Sequence, residues 1–228
     1  MKRIFLIAIT IFIISSCKDS DSPKEIPATG THASPHYITE YLVASEIAVE
    51  NRNGTLCLKV SGDEYYTCDR SNISKEALEL VNLYNDKSYT GHVYPGMSPA
   101  LAYPIGKITV CCDMDFDAEH PAGEPLDDIA QLGFCSFYPY IANGYNPFPF
   151  TEDWQYSDRV RYTMPFASVN AEVTKLMWAY FLTYKISPSY VAKIEFATQP
   201  EEAGEYTFTL RMTTHDKTFE TNFTHTFK

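Results

Sequence analysis

Alternation of apolar and polar residues marks much of the chain from Tyr37 onward. In Thr55–Val60, behind an Asn53-Gly54 turn signal, Leu56, Leu58 and Val60 share one face. In Lys107–Phe116, Ile108, Val110, Cys112, Met114 and Phe116 point one way, and Thr109, Cys111, Asp113 and Asp115 the other. The C-terminus carries the clearest hairpin. Glu205–Thr213 places Tyr206, Phe208, Leu210 and Met212 on one side, His215-Asp216-Lys217 turns the chain, and Phe219–Phe227 returns with Phe219, Thr221, Phe223, His225 and Phe227 aligned. Tyr180–Lys185 and Val191–Ala197 read as strands on either side of Ser187-Pro188-Ser189. Helical spacing replaces alternation in two segments. Ile73–Tyr84 aligns Ile73, Ala77, Leu80, Val81 and Tyr84, with Asn72 or Ser74 as its cap; Ser168–Phe181 aligns Val169, Val173, Leu176, Met177 and Tyr180. Short strands between turn residues predict a mainly β fold, an antiparallel β-sandwich with one or two short helices, and not βαβ units.

The N-terminus follows a different rule. Met1-Lys2-Arg3 is positive and Ile4–Ile14 is apolar except for Thr10. As a helix that run reaches roughly 16 Å, about half a bilayer core, which suits a signal peptide and not a span. It ends in Ile14-Ser15-Ser16-Cys17, which resembles a relaxed bacterial lipobox without the usual leucine. The resemblance implies cleavage before Cys17 and lipidation of that residue, and several acyl chains at about 0.8 kcal/mol per buried CH₂ make a stable anchor. Residues 18–36 hold three prolines and many Ser, Thr and Ala, too little apolar content to fold, and read as a flexible tether. The expected organisation is a signal peptide over 1–16, a lipidated tether over 17–36 and one folded domain over 37–228.

Charge narrows the function classes. The 228 residues carry 18 basic against 29 acidic side chains, and cleavage before Cys17 removes Lys2 and Arg3 but no acid. A chain this acidic repels a phosphate backbone, so nucleic acid is not an expected partner. The motifs of nucleophilic, metalloprotease and phosphate-binding chemistry are absent: there is no G-x-S-x-G, no H-E-x-x-H and no lysine in the glycine-bearing stretch Gly91–Met97. The expectation is therefore a protein without a cofactor and without catalysis, while paired acids among the 29 carboxylates leave a glycan-processing enzyme as an alternative.

Three residue groups carry candidate chemistry. Beyond Cys17 stand Cys57, Cys68, Cys111, Cys112 and Cys135, an odd set in which Cys57–Cys68, or Cys135 with Cys111 or Cys112, would be the bridges. Buried small hydrophobes are the other reading of these residues. Asp113, Asp115 and Asp117, followed by Glu119 and Glu124, read as a solvated strand edge that discourages edge pairing. The alternative is a Ca²⁺ loop, against which stand Ala118 at the position that needs Gly and Pro121 where a helix should begin. Finally, eleven aromatics lie between Phe134 and Phe166, broken by prolines and Gly144. Tyr138, Tyr140, Tyr145, Trp154 and Tyr156 would offer stiff contact surfaces to a ligand, or else fold back as a secondary core.

Lys18-Asp19-Ser20-Asp21-Ser22-Pro23-Lys24-Glu25 is similar to the acidic tract by which Bacteroidetes lipoproteins reach the outer face of the outer membrane. The order of the strand Ile108–Phe116, then Pro121-Ala122-Gly123 with Leu126-Asp127, and the closing hairpin through Pro200 and Gly204-Glu205-Tyr206, resembles uncharacterised lipoprotein families of gut Bacteroidetes. The resemblance implies a lipid-anchored protein of the outer membrane, facing the cell exterior. Its expected role is a non-catalytic module for a glycan or an envelope protein, or a structural subunit of an envelope assembly.

Overall fold

The computed structural model describes residues 32–68, 73–149, 157–181 and 189–228. The expected signal peptide, Cys17 and most of the tether lie outside the described residues, as do Trp154 and Tyr156. The chain is mainly β, in the order β1 (His32–Ala33), β2 (Glu40–Arg52), β3 (Thr55–Tyr66), α1 (Lys75–Tyr84), β4 (His92–Val93), β5 (Pro99–Leu101), β6 (Ile105–Cys112) and β7 (Ala130–Ser136). Then follow α2 (Tyr138–Ala142), β8 (Val160–Pro165), β9 (Tyr180–Phe181), β10 (Ser189–Phe196), β11 (Gly204–Thr214) and β12 (Lys217–Phe227). One sheet runs β5-β2-β3-β10-β7-β8, with β9 also on β10; a second runs β12-β11-β6; β1 and β4 form a small pair. Apart from the parallel contact of β2 with β5, the pairings are antiparallel, which gives the expected sandwich-like arrangement.

The main core lies between the two larger sheets. The rows read from the sequence are its walls: Leu56, Leu58 and Val60 from β3, Ile108, Val110 and Cys112 from β6, and Tyr206, Phe208, Leu210 and Met212 from β11 are all buried. Phe223 and Phe227 of β12 close one side, and Phe227 meets Phe116, Phe196 and Tyr206 edge-on.

The long strand β2 serves two cores. Leu42, Ala44 and Ile47 face the main core, whereas Tyr41 faces a second cluster with Tyr37, Ile38, Leu80, Val81, Tyr84, Phe137 and Tyr140. Leu42 and Ala44 are even positions and Ile47 is odd, so strict alternation would turn Ile47 away from the core. A bulge between Ala44 and Glu46 restores the face by inserting one residue opposite β3. Gly62 stands across from this bulge. A Cβ built there would lie 1.8 Å from the Val43 carbonyl oxygen and 2.9 Å from the Ser45 nitrogen.

Helix α1 forms for the reasons its sequence offers. Ser74 Oγ accepts the Ala77 N–H at 3.1 Å, Asn85 ends the helix in the left-handed region at φ 55°, and Ala77, Leu80, Val81 and Tyr84 are its buried face. The helix expected over Ser168–Phe181 does not form. Asn170 Oδ1 accepts the Glu172 and Val173 amides and so holds a turn, and Leu176 has φ 49°. The segment then runs between two strand edges, where the Met177 carbonyl accepts the Leu101 N–H and the Trp178 N–H donates to the Cys135 carbonyl. That route buries Leu176 in the second cluster and Met177 in the main core, which explains the apolar spacing without a helix. The second helix is instead α2, whose first turn contains Pro139.

Other expectations are corrected by the same packing. The folded region begins before Tyr37: Ala33 pairs with His92, and Ser34 and His36 are buried. The strand from Lys107 ends at Cys112, so Asp113–Asp117 belong to a loop, and Met114 is exposed while Phe116 is buried. Cys57 sits near the start of β3 and Cys68 just past its end, so the extended strand separates them by roughly 30 Å, far beyond a bridge. Cys57, Cys111, Cys112 and Cys135 are free thiols, so neither Cys111 nor Cys112 bridges Cys135.

Gly62→Ala is expected to destabilise the protein by about 3 kcal/mol or more, because the added methyl collides with backbone and not with a movable side chain. Chemical denaturation would measure this, with Gly106→Ala on β6, where the nearest facing atom is 3.8 Å from an added Cβ, as the mild comparison.

Candidate functional site

The aromatic region forms the second core. Tyr140 is buried; Tyr138 and Tyr145 are half-buried. Tyr140 packs against Tyr37 at 4.9 Å between ring centres, and it meets Tyr145 at 5.8 Å with planes at 80°, so these rings offer no flat platform. Tyr138 lies under the Lys175 ammonium at 4.8 Å.

A buried carboxylate fixes this core. Asp86 follows the end of α1 and is fully buried; its oxygens accept the Tyr37 and Ile38 amides at 2.8–3.0 Å and the Tyr145 hydroxyl at 2.9 Å. Burial pushes its pKa above the ordinary carboxylate value, and the amides of Tyr37 and Ile38 and the Tyr145 hydroxyl pull it back. His36 Nδ1 lies 2.6 Å from the Asp86 carbonyl oxygen. Next to this, the Tyr37 hydroxyl donates to Asp158, which is ion-paired to Arg159 at 2.8 Å. The Arg159 guanidinium in turn lies over the rings of Trp178 at 4.2 Å and Phe137 at 4.9 Å.

The acidic loop spends its carboxylates on backbone. Asp113 Oδ1 accepts the Thr207 N–H, Asp115 Oδ1 the Ala122 N–H, and Asp117 Oδ1 the amides of Glu119 and His120. Glu119 and Glu124 are exposed. These five acids are not gathered around a common point, and among the described residues no three His, Cys, Asp or Glu side chains converge as a metal set.

Inside the loop His120 bridges two acids. Its Nδ1 lies 2.7 Å from Asp117 Oδ1 and its Nε2 3.1 Å from Asp128 Oδ1. A neutral imidazole has one N–H and satisfies one of these contacts; the imidazolium donates to both. The hydrogen bond to Asp117 leads in holding the His120 pKa above its ordinary 6.5, against some desolvation. Asp117 also has a desolvation cost, which the His120 ring and the loop amides outweigh, leaving its pKa below the ordinary 3.8.

The same loop walls a depression of about 290 Å³ on the outer face of the three-stranded sheet. Thr109, Cys111, Thr207, Thr209, Arg211 and Asn222 form its floor, and Asp113 and Gly123 its side. Register assembles the floor: Thr209 stands between Cys111 and Asn222, and Arg211 between Thr109 and Glu220. Thr209 Oγ1 donates to Asn222 Oδ1 at 2.9 Å, and Arg211 Nε donates to Glu220 Oε2 at 2.6 Å. Burial pushes the Cys111 and Cys112 thiols above their ordinary pKa, which disfavours the thiolate. The sequence carried this signal in the positions alternating with the core row of β11, namely Thr207, Thr209, Arg211 and Thr213. Attention to the apolar face alone overlooks them. The chain matches no protein-family model, no curated protein and no solved structure.

Asp86→Ala leaves two buried amides and a hydroxyl without their acceptor, and is expected to cost about 3 kcal/mol, or roughly 6–12 °C in Tm. Asp86→Asn keeps one acceptor oxygen but sets an NH₂ donor against the amides, so it should also destabilise, though less than alanine; an unchanged Tm in Asp86→Ala would show that the carboxylate does not organise the aromatic core.

The His120 bridge predicts a pH signature. A raised histidine pKa contributes stability below 6.5 that is lost as pH rises through the folded value; a lowered aspartate pKa contributes above 3.8 and fades as pH falls through it. The Tm difference between wild type and His120→Ala should therefore be largest between pH 3.8 and 6.5 and shrink on both sides. Thermal melts across pH test this, and a constant difference contradicts it.

Proposed function

We propose that the chain is a lipid-anchored module of the bacterial outer-membrane surface that binds a ligand without transforming it. Anchoring is supported by the apolar run Ile4–Ile14 ending in Ile14-Ser15-Ser16-Cys17 and by the Ser/Asp-rich tract after it. The observation that carries the binding role is the depression on the three-stranded sheet. Its side chains are hydroxyls, an amide, an ion-paired guanidinium and a carboxylate that already holds a backbone amide, a set suited to hydrogen bonding. The thiol that shares the floor is held in its protonated, weakly nucleophilic form. Of the five aromatics expected to meet a ligand, the three that are described help build the second core, so the binding face moves from the rings to the polar side of β6, β11 and β12.

Expression in a Bacteroidetes host with radiolabelled palmitate tests the anchor. Label is expected in the wild-type chain and absent from Cys17→Ser, and proteinase added to intact cells should digest the wild-type module. Equal labelling of both chains, or complete protection from proteinase, would overturn the surface-anchored reading.

A further inference from the structure

We infer that the depression on the three-stranded sheet grips a vicinal diol of one sugar ring, so that the ligand is a neutral glycan. The inference rests on the binding-module reading and names its ligand class. Because Thr209 donates to Asn222 Oδ1, the amide is held with its Nδ2 group as a donor of two further hydrogen bonds. Arg211 uses Nε on Glu220, which leaves its terminal nitrogens as donors above the floor. Asp113 uses Oδ1 on the Thr207 amide and presents Oδ2 as an acceptor from the side wall.

A hydroxyl donates and accepts at once. Two adjacent hydroxyls therefore satisfy the amide and guanidinium donors with their lone pairs and the carboxylate with a proton. A phosphate, sulfate or carboxylate only accepts, and it would face Asp113 and the Glu220 partner of Arg211 as like charges. The methyl groups of Thr109, Thr207 and Thr209 supply the apolar contact that the C–H face of a sugar ring needs. A volume of about 290 Å³ leaves room for one ring and its substituents. The floor is preorganised, since an antiparallel ladder sets the spacing of its side chains.

The test is calorimetric titration of the lipidated chain, held in a sugar-free detergent. The probes are neutral hexasaccharides (mannan-, cellulose- and starch-derived), glucose and mannose, and the anionic chondroitin sulfate and oligogalacturonate. At least one neutral hexasaccharide should bind, more tightly than the free monosaccharides and with little dependence on salt. Asn222→Ala and Asp113→Asn should each weaken it about tenfold or more. Asp113→Asn keeps an acceptor for the Thr207 amide, so an unchanged Tm separates lost binding from lost folding. Lys193→Ala, on the other sheet, should leave the affinity unchanged. Neutral-glycan binding that survives both depression variants would overturn this site. Binding of the anionic polymers alone, falling with salt, would overturn the ligand class and leave the binding-module reading in place. Silence across the whole panel would overturn the glycan inference, while palmitate labelling judges the anchor independently.

Discussion

One buried carboxylate joins three distant parts of the chain. Asp86 sits just beyond the left-handed Asn85 that ends α1, and it accepts hydrogen bonds from the backbone before β2 and from a tyrosine after α2. A buried anion without donors is expensive, so the site exists only if Tyr37, Ile38 and Tyr145 arrive together. Their arrival fixes much else. Tyr37 is placed against Tyr89, Phe137 and Tyr140, its hydroxyl reaches Asp158, and β2 is delivered with Tyr41 under the helix. The charge acts less as an attraction than as a condition that a single arrangement of the three segments meets.

Strand β2 extends this constraint to the rest of the molecule. Its first half is covered on both sides, by α1 and the tyrosines on one face and the main core on the other. Its second half has one buried face, and the bulge at Ser45 keeps that face inward across a change of parity. The two cores are thus coupled through one backbone, and the Asp86 network and the Gly62 contact bear on its two halves. The three-stranded sheet joins the main core through one face only. Its other face is left to water, which is why a polar floor can exist there.

What was legible in the sequence follows from this division. The hairpin β11–β12 and the row Leu56, Leu58 and Val60 were readable because one face is dry and the other wet, so period two survives in the residues. Helix α1 was readable for the same reason, with Ser74 as its start. Strand β2 was not: Glu40, Tyr41 and Leu42 are all buried, and a strand covered on both faces has no alternation to show. Ser168–Phe181 misled in the opposite way. Leu176 and Met177 are apolar because they enter two different cores, and the resulting spacing imitates a helical face. Tyr138, Tyr140 and Tyr145 left the choice between a recognition surface and a second core open; its resolution depends on Asp86, more than fifty residues away in the chain, a contact that no local pattern encodes.

The position of the rings also shapes how a ligand would be held. A sugar site without a stacking ring loses a large, tolerant contact and relies on matching donors to acceptors, which favours selectivity over strength. Under the proposed glycan reading, single-site affinity on such a floor is expected to be modest. A chain anchored by lipid at one end, as proposed here, does not act singly, because neighbouring copies on the same membrane meet a repeating polymer at high effective concentration. On that reading weak recognition at each depression and a lipid at each N-terminus are complementary: the first selects the polymer, and the second turns selection into retention.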